Sequence, residues 1–421
     1  MATLRAGIIV TGTEMVSGQV TDRNGPWVSQ RLGELGVTVT HLLCVGDRPQ
    51  DLRGALEHLR DADLIVTSGG LGPTADDLTG QLVAEFAGVE LELDEAMYRR
   101  IGEILAGFSH LSAFGGEALE AANRKQAMVP RGGTPVPPVG TAPGLVVPVA
   151  GGPTVLVLPG PPRELRAMWP AALETEAMRA VLARAMPPTI VRLRFYGLPE
   201  SEIAATLRDL AGDIDLDALE VVTCLRRAEL EVDLHHHGGE AAARAAEQLV
   251  AALTERHGRY LFSTDGSSLD DQVAALLQGR TIALAESCTG GLLAGRLTER
   301  PGASAYVMGG VVSYSNEAKS DLLDVPAALI EAHGAVSPEV ARAMADGVRA
   351  RFGTDVGVGV TGVAGPGGGT EAKPVGYVCV CVTTAAGELA RDVVLPGDRG
   401  EVRDRSVVLA MHLIRRLLSR S

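Results

Sequence analysis

The sequence predicts a multidomain α/β protein. Three observations carry this: short β-branched runs alternate with amphipathic helical stretches from Ala6 to about Ala87, the alternation returns from Thr281 to Leu418, and residues 189–262 follow another pattern. The length of 421 residues is close to three domains, at a loose prior of about 150 residues each. With 46% hydrophobic and 21% charged residues, a sizeable core can be buried.

In the first stretch, Gly7–Val10, Val37–Val45 and Leu64–Thr67 read as strands, with helices at Trp27–Leu35 and Leu52–Leu59 between them. This is the βαβ pattern of a parallel sheet covered on both faces. Residues 132–162 carry no charge and are long enough to span a bilayer, but 16 of the 31 are Gly or Pro. Lipid-embedded helices do not tolerate that, so turns and short strands are expected, among them Thr154–Leu158. A helix from Pro161 to Met168 follows, with proline in its first turn.

The middle stretch reads as strand Ile190–Tyr196, helix Glu200–Leu210, strands Leu219–Leu225 and Glu229–His235, and helix Glu240–Arg256. It is a small α+β module without a basic Gly-x-x-Gly loop. The third stretch has a helix Leu269–Leu277, strand Thr281–Ala285, helix Pro338–Arg351, strands Val356–Val360 and Val378–Thr383, and a closing helix Gly400–Leu418.

A net charge of −14 disfavours long-range attraction to nucleic acid or an anionic membrane, though not an anionic small ligand in a local pocket. Aromatic residues, at 3%, leave few rings for stacking bases. Five scattered cysteines without a CxxC imply a reducing compartment, with no disulfide framework and no zinc site. The amino-terminal residues run straight into a strand without a long apolar stretch, so a cytoplasmic protein is expected.

Two segments carry chemistry. Glu286-Ser-Cys-Thr-Gly-Gly291 lies between a strand end and a helix start, where exposed backbone N–H groups suit a phosphate or an oxyanion. Ser287 there is either part of a structural turn or a nucleophile, and a nucleophile needs a base. Tyr314 and Lys319, flanking the N-cap Ser315, are the candidates; a desolvated lysine has a lowered pKa, whereas a solvated one is inert. Cys288 is a competing nucleophile, but no histidine lies near it in sequence. Thr361–Thr370 is dense in glycine, and Arg399 opens the last helix, where it either pairs with a phosphate or stays exposed. The GxGxxG match at 357–362 lies within a strand with no helix after it, so a dinucleotide site is rejected. In the first unit, Ser68–Thr79 follows a strand, with Asp76 and Asp77 either complementing a helix dipole or, with Glu14 and Asp47, holding a divalent ion. His235–His237 alternate along a strand and do not converge on a metal.

Ala285–Gly291, Gly310–Lys319, His333–Ser337, Thr361–Pro366 and Lys373–Gly376 together resemble the C-terminal domain of the competence/damage-inducible CinA family. Thr11–Glu14, Val45–Asp47, Ser68–Thr79, Gly140–Gly144 and Leu158–Pro162 resemble its N-terminal domain. Asp324 and Gly367 stand where relatives more often carry Gly and Asp, and Pro137 where they usually have Asn.

The resemblance implies a molybdopterin-binding-like three-layer α/β/α domain over 1–175, a KH-like α+β module over 185–262 and an α/β CinA domain over 266–421. For the last it implies nicotinamide mononucleotide deamidation without a cofactor. Ser287, Tyr314 and Lys319 would be catalytic, and Cys288, Thr289, Gly290, Gly291, Thr361, Gly362, Gly365 and Arg399 would bind substrate, with an oxyanion near Thr289–Gly291. For the first it implies ADP-ribose pyrophosphatase activity, with Asp47, Asp76 and Asp77 on a divalent metal ion and Glu14, Asn24, Gly69, Gly70, Gly72, Thr74, Thr79, Gly140 and Thr141 on substrate. The expected partners are these small nucleotides, with no nucleic acid and no membrane, and a homodimer is expected. The alternative is a non-catalytic nucleotide or molybdopterin-type binding and sensor protein.

Overall fold

The structure is a computed structural model and describes residues 4–106 and 117–420. Two compact units divide the chain, residues 1–189 and 190–421.

In the first unit, β1 (Leu4–Thr11), α1 (Thr13–Val16), α2 (Gly25–Glu34), β2 (Val37–Val45), α3 (Pro49–His58) and β3 (Leu64–Ser68) form the expected alternation. Next come α4 (Thr79–Ala87), β4 (Leu91–Leu93), α5 (Glu95–Ala106), α6 (Glu117–Gln126) and β5 (Met128–Pro130). The Gly/Pro tract supplies β6 (Thr134–Val136), β7 (Gly144–Pro148) and β8 (Thr154–Leu158), before α7 (Pro162–Leu173) and α8 (Glu176–Leu182). The main sheet runs β2-β1-β3-β8-β7-β6, its first four strands parallel and the last two antiparallel.

Burial on both faces explains the near-continuous apolar strands. Ile8 and Val10 pack with Val28, Leu32 and Trp169 on one side, while Ile9 packs with Leu56, Leu82 and Val83 on the other. Each such side chain contributes about 1.5–3 kcal/mol when fully buried. The result is a three-layer α/β/α arrangement.

The second unit begins with β9 (Thr189–Tyr196), α9 (Glu200–Leu210), β10 (Glu220–Arg226), β11 (Glu229–His236), α10 (Glu240–His257) and β12 (Leu261–Ser263), in a sheet ordered β10-β11-β9-β12. Arg227 and Ala228 turn the β10–β11 hairpin with φ of 51° and 61°, the left-handed pair that a two-residue hairpin requires. It continues through α11 (Leu269–Leu276), β13 (Ile282–Glu286), α12 (Leu292–Thr298), β14 (Val307–Val312), α13 (Asn316–Leu323), α14 (Ala327–His333) and α15 (Pro338–Phe352). β15 (Val356–Gly362), β16 (Tyr377–Thr384), β17 (Gly387–Val394) and α16 (Arg399–Leu418) complete it. The order is β14-β13-β15-β16-β17, with β14, β13 and β15 parallel. Their carboxyl ends therefore open on one edge, where ligands bind in such sheets.

The strand glycines of the rejected dinucleotide match have a packing purpose. A Cβ on Gly357 or Gly359 would overlap the carbonyl oxygens of Ala345 and Ala341, so α15 lies directly on β15, backbone against backbone. Asp324 ends α13 with φ of 54°, a left-handed position that glycine occupies most easily. His236, the last residue of β11, is buried, whereas His235 before it is half-buried and His237 after the strand is exposed, so the three histidines do diverge. Cys379 and Cys381 share one buried face with Ala341 and Ala345. Among the described residues, no helix is long and apolar enough to cross a membrane.

Candidate active site

β13, β14 and β15 deliver Ser287, Tyr314 and Thr361 to one cleft of about 190 Å³, which Cys288, Lys319, Gly362 and Arg399 also line. Ser315 caps α13 by accepting the Ala318 N–H at 3.1 Å. That start sends Lys319, one turn on, back beneath the strand ends. Its side chain is 1% exposed. Nζ lies 3.2 Å from Ser287 Oγ and donates to the carbonyls of Ser313 at 2.8 Å and Tyr314 at 3.3 Å.

Desolvation holds the Lys319 pKa below the ordinary lysine value of 10.5. The Ser315 carbonyl lies 3.5 Å from Nζ as well; the two N–H groups of a neutral amine are met by these three carbonyls, which leaves its lone pair for the serine hydroxyl. Burial pushes the Cys288 thiol up to about 12, which disfavours the thiolate form a cysteine nucleophile needs.

Tyr314 is exposed, and its hydroxyl accepts from Arg399 Nη2 at 3.1 Å; Arg399 Nη1 donates to the Gly365 carbonyl at 2.6 Å. Tyr314 thus lines the cleft with Arg399, while Lys319 is the group beside Ser287. Thr361 donates to the Ala335 carbonyl at 2.9 Å, and a Cβ on Gly362 would come within 3.0 Å of Cys288 Sγ.

The turn after Ser287 departs from the sequence reading. The Gly290 N–H donates to the Ser287 carbonyl at 3.1 Å, and the Gly291 N–H to Glu286 Oε2 at 3.0 Å. Glu286 also accepts from Leu293 and Ala294, at 3.1 and 2.8 Å, and so occupies the N-terminus of α12. The glycine amides are therefore unavailable to an oxyanion. Those of Cys288 and Thr289 face the Cys288 sulfur instead. Arg403, one turn after Arg399, donates to the carbonyls of Cys288 at 3.1 Å and Thr289 at 2.9 Å. The sequence reading assigned neither Glu286 nor Arg403; the i, i+4 spacing of two arginines at a helix start was the available signal.

In the first unit, Gly69 and Gly70 turn with φ of 107° and 68° where the Thr11 and Thr79 hydroxyls exclude a Cβ. Thr79 donates to the Gly69 carbonyl at 2.9 Å. Asn24 is buried and donates to Ser68 Oγ at 2.9 Å and the Gly160 carbonyl at 2.6 Å, bracing two loops together. Gly140 packs on the Glu164 carboxylate and Thr141 is half-buried beside it; Glu14 is exposed on α1.

The three aspartates do not form one metal-binding set. Asp47 and Asp76 line one small cleft with Gly70 and Thr79, whereas Asp77 lines the next with Gly70 and Gly72. Thr74 engages both neighbours: its hydroxyl lies within hydrogen-bond reach of Asp76 and Asp77 and donates its single proton to one of them, while its N–H donates to Asp77 at 2.9 Å. Asp47 accepts from the Thr13 N–H and hydroxyl at 2.9 and 2.7 Å. Among the described residues no group of three or more His, Cys, Asp or Glu side chains is placed to hold an ion.

Fold and site define a class: a chain joining a molybdopterin-binding-type α/β/α unit to an α/β domain with a buried Ser–Lys pair at its strand ends. Residues 7–179 match the model for a probable molybdopterin binding domain and residues 266–418 that for the CinA C-terminal domain. The chain belongs to the CinA family.

It is 57% identical over 419 residues to a CinA-like protein of Mycobacterium sp. (strain JLS), covering 98% of this chain and 99% of that one. A CinA-like protein of Mycobacterium tuberculosis (strain ATCC 25177 / H37Ra) is 51% identical over 423 residues, covering 99% and 97%. Among solved structures, competence/damage inducible protein CihA from Agrobacterium tumefaciens is 35% identical, with a TM-score of 0.34, covering 38% of this chain and 98% of that one. CinA from Thermoplasma acidophilum is 32% identical, with a TM-score of 0.35, covering 41% and 99%.

Proposed function

We propose that the C-terminal domain hydrolyses the carboxamide of nicotinamide mononucleotide to nicotinate mononucleotide and ammonia. The observation that carries this reading is the buried Lys319 amine 3.2 Å from Ser287 Oγ, in a cleft that Arg399 also lines. Neutral Lys319 takes the Ser287 proton as Oγ bonds to the carboxamide carbon. The ammonium returns a proton to the amide nitrogen, the C–N bond breaks and ammonia leaves. Water, deprotonated by the same amine, then attacks the acyl carbon; the ester C–O bond breaks and the ammonium returns the proton to Ser287 Oγ, which restores the neutral amine and the hydroxyl. In this reading Arg399 and the Tyr314 hydroxyl bind the phosphate end of the substrate, supported by their contact with each other at 3.1 Å beside the cleft.

The test is ammonia release from nicotinamide mononucleotide by the full chain and by Ser287→Ala. Release by the wild type and none by the variant is expected; equal release from both would sink the nucleophile assignment.

For the N-terminal unit the reading is cleavage of ADP-ribose at its pyrophosphate, supported by the molybdopterin-binding match and by glycine-lined clefts at the ends of parallel strands. A divalent ion there would neutralise phosphate charge, and Asp47 and Asp76 supply only two carboxylates, so phosphate oxygens and water would complete its shell. No step is written through it. Phosphate-ester products from ADP-ribose with added magnesium or manganese are the expected readout.

A further inference from the structure

We propose that Arg403 is a positioning residue that, with Glu286, fixes the Ser287 turn so that the N–H groups of Cys288 and Thr289 receive the oxyanion. The inference rests on the acyl-transfer reading and names a donor pair for it.

The argument is one of elimination and of polarisation. Of the amides following Ser287, that of Gly290 is committed to the Ser287 carbonyl and that of Gly291 to Glu286. The amides of Cys288 and Thr289 meet no oxygen acceptor among the described residues and face only the Cys288 sulfur, a weak acceptor that an oxyanion would outcompete. Each belongs to a peptide unit whose carbonyl already accepts a hydrogen bond on its other side. The Ser287 carbonyl, in the unit of the Cys288 N–H, accepts from Gly290; the Cys288 carbonyl, in the unit of the Thr289 N–H, accepts from Arg403 Nε at 3.1 Å. Hydrogen bonds in series strengthen one another, so both amides become better donors.

Arg403 is half-buried and makes no ion pair among the described residues, so its full charge lies against these carbonyls. Glu286, 2% exposed, anchors the other end of the turn through the amides of Gly291, Leu293 and Ala294 at the start of α12. The left-handed Gly290 and Gly291, with φ of 61° and 96°, allow the chain to bend between these two anchors.

The experiment compares full-length wild type, Arg403→Met, Arg403→Lys and Arg403→Ala, each checked for an unchanged thermal melt. Two readouts are used: ammonia release from nicotinamide mononucleotide and the rate at which a fluorophosphonate labels Ser287. Arg403→Met is expected to lower kcat and the labelling rate by about tenfold to a hundredfold with little change in KM, since losing one direct oxyanion donor costs about 10²–10³. Arg403→Lys should recover part of both, and added guanidinium should partly restore Arg403→Ala.

Unchanged rates in Arg403→Met, no labelling of the wild type, or a loss that neither lysine nor guanidinium relieves would overturn the proposal. Absent ammonia release by a wild type that labels normally would overturn the deamidase reading alone, with the labelling ratio still deciding Arg403.

Discussion

The amine of Lys319 lies 3.2 Å from the hydroxyl of Ser287, and no ion pair among the described residues joins that lysine to a carboxylate. A lysine in this position works only as the free base. Turnover should therefore rise with pH through a value below 10.5, because Lys319 is protonated and inert below its lowered pKa. Lys319→Arg, charged at every accessible pH, and Lys319→Met should each lose about 10²–10⁴ in kcat. The pH profile of kcat/KM checks the first statement and single-variant kinetics the second.

Arg399 bridges Tyr314 and the Gly365 carbonyl at the outer side of the cleft. If its remaining donors meet a phosphate, Arg399→Met should raise KM for nicotinamide mononucleotide by about tenfold or more, the range of a charged hydrogen bond of about 1.5–3 kcal/mol. The same variant should treat nicotinamide riboside as the wild type does. Tyr314→Phe removes one hydroxyl contact to the phosphate and should raise the same KM by less than Arg399→Met does, again without affecting the riboside.

His412, 1% exposed on α16, meets Glu229 of β11 at 2.8 Å and stacks on Tyr196 with 3.8 Å between ring centroids. Removing the histidine leaves a buried carboxylate without its partner, so His412→Ala should cost about 3–5 kcal/mol in urea unfolding. Desolvation holds His412 below its ordinary 6.5, although Glu229 pulls the other way. The unfolded chain then binds the proton more readily, so stability is lost as pH falls from 6.5 through the lower folded value. The melting temperature of the wild type should drop more steeply over that range than that of His412→Gln.

Gly359 admits no side chain, because α15 presents the Ala341 carbonyl where a Cβ would sit. Gly359→Ala should destabilise by about 1–3 kcal/mol or more. The loss should appear as a lowered urea midpoint with an unchanged slope.

The strand-end position of Ser287 and the N-cap at Ser315 were legible because both follow from local rules, and together they bring Lys319 near the serine. Glu286 was not, although it adjoins the nucleophile. Its carboxylate turns back to the α12 amides only because Gly290 and Gly291 adopt left-handed angles that a one-letter string does not record. The neighbouring Asp76 and Asp77 invited one metal reading, but both carboxylates are engaged by Thr74 two and three residues back, a contact the sequence does not show. Some elements were read closely, with β2 and α9 matching end to end and α15 differing by one residue, because burial on two faces and N-caps leave strong periodic marks; α5, α6 and β17 had no reading, and α7 runs five residues past its expected end.

The occupied N-terminus of α12 bears on inhibitor design. A phosphonate or sulfonate aimed at that helix end would meet the Glu286 carboxylate and be repelled. A compound that carries an electrophilic boron or ketone for Ser287 and its anionic group at the far side of the cleft, beside Arg399, would have the charge order this pocket accepts.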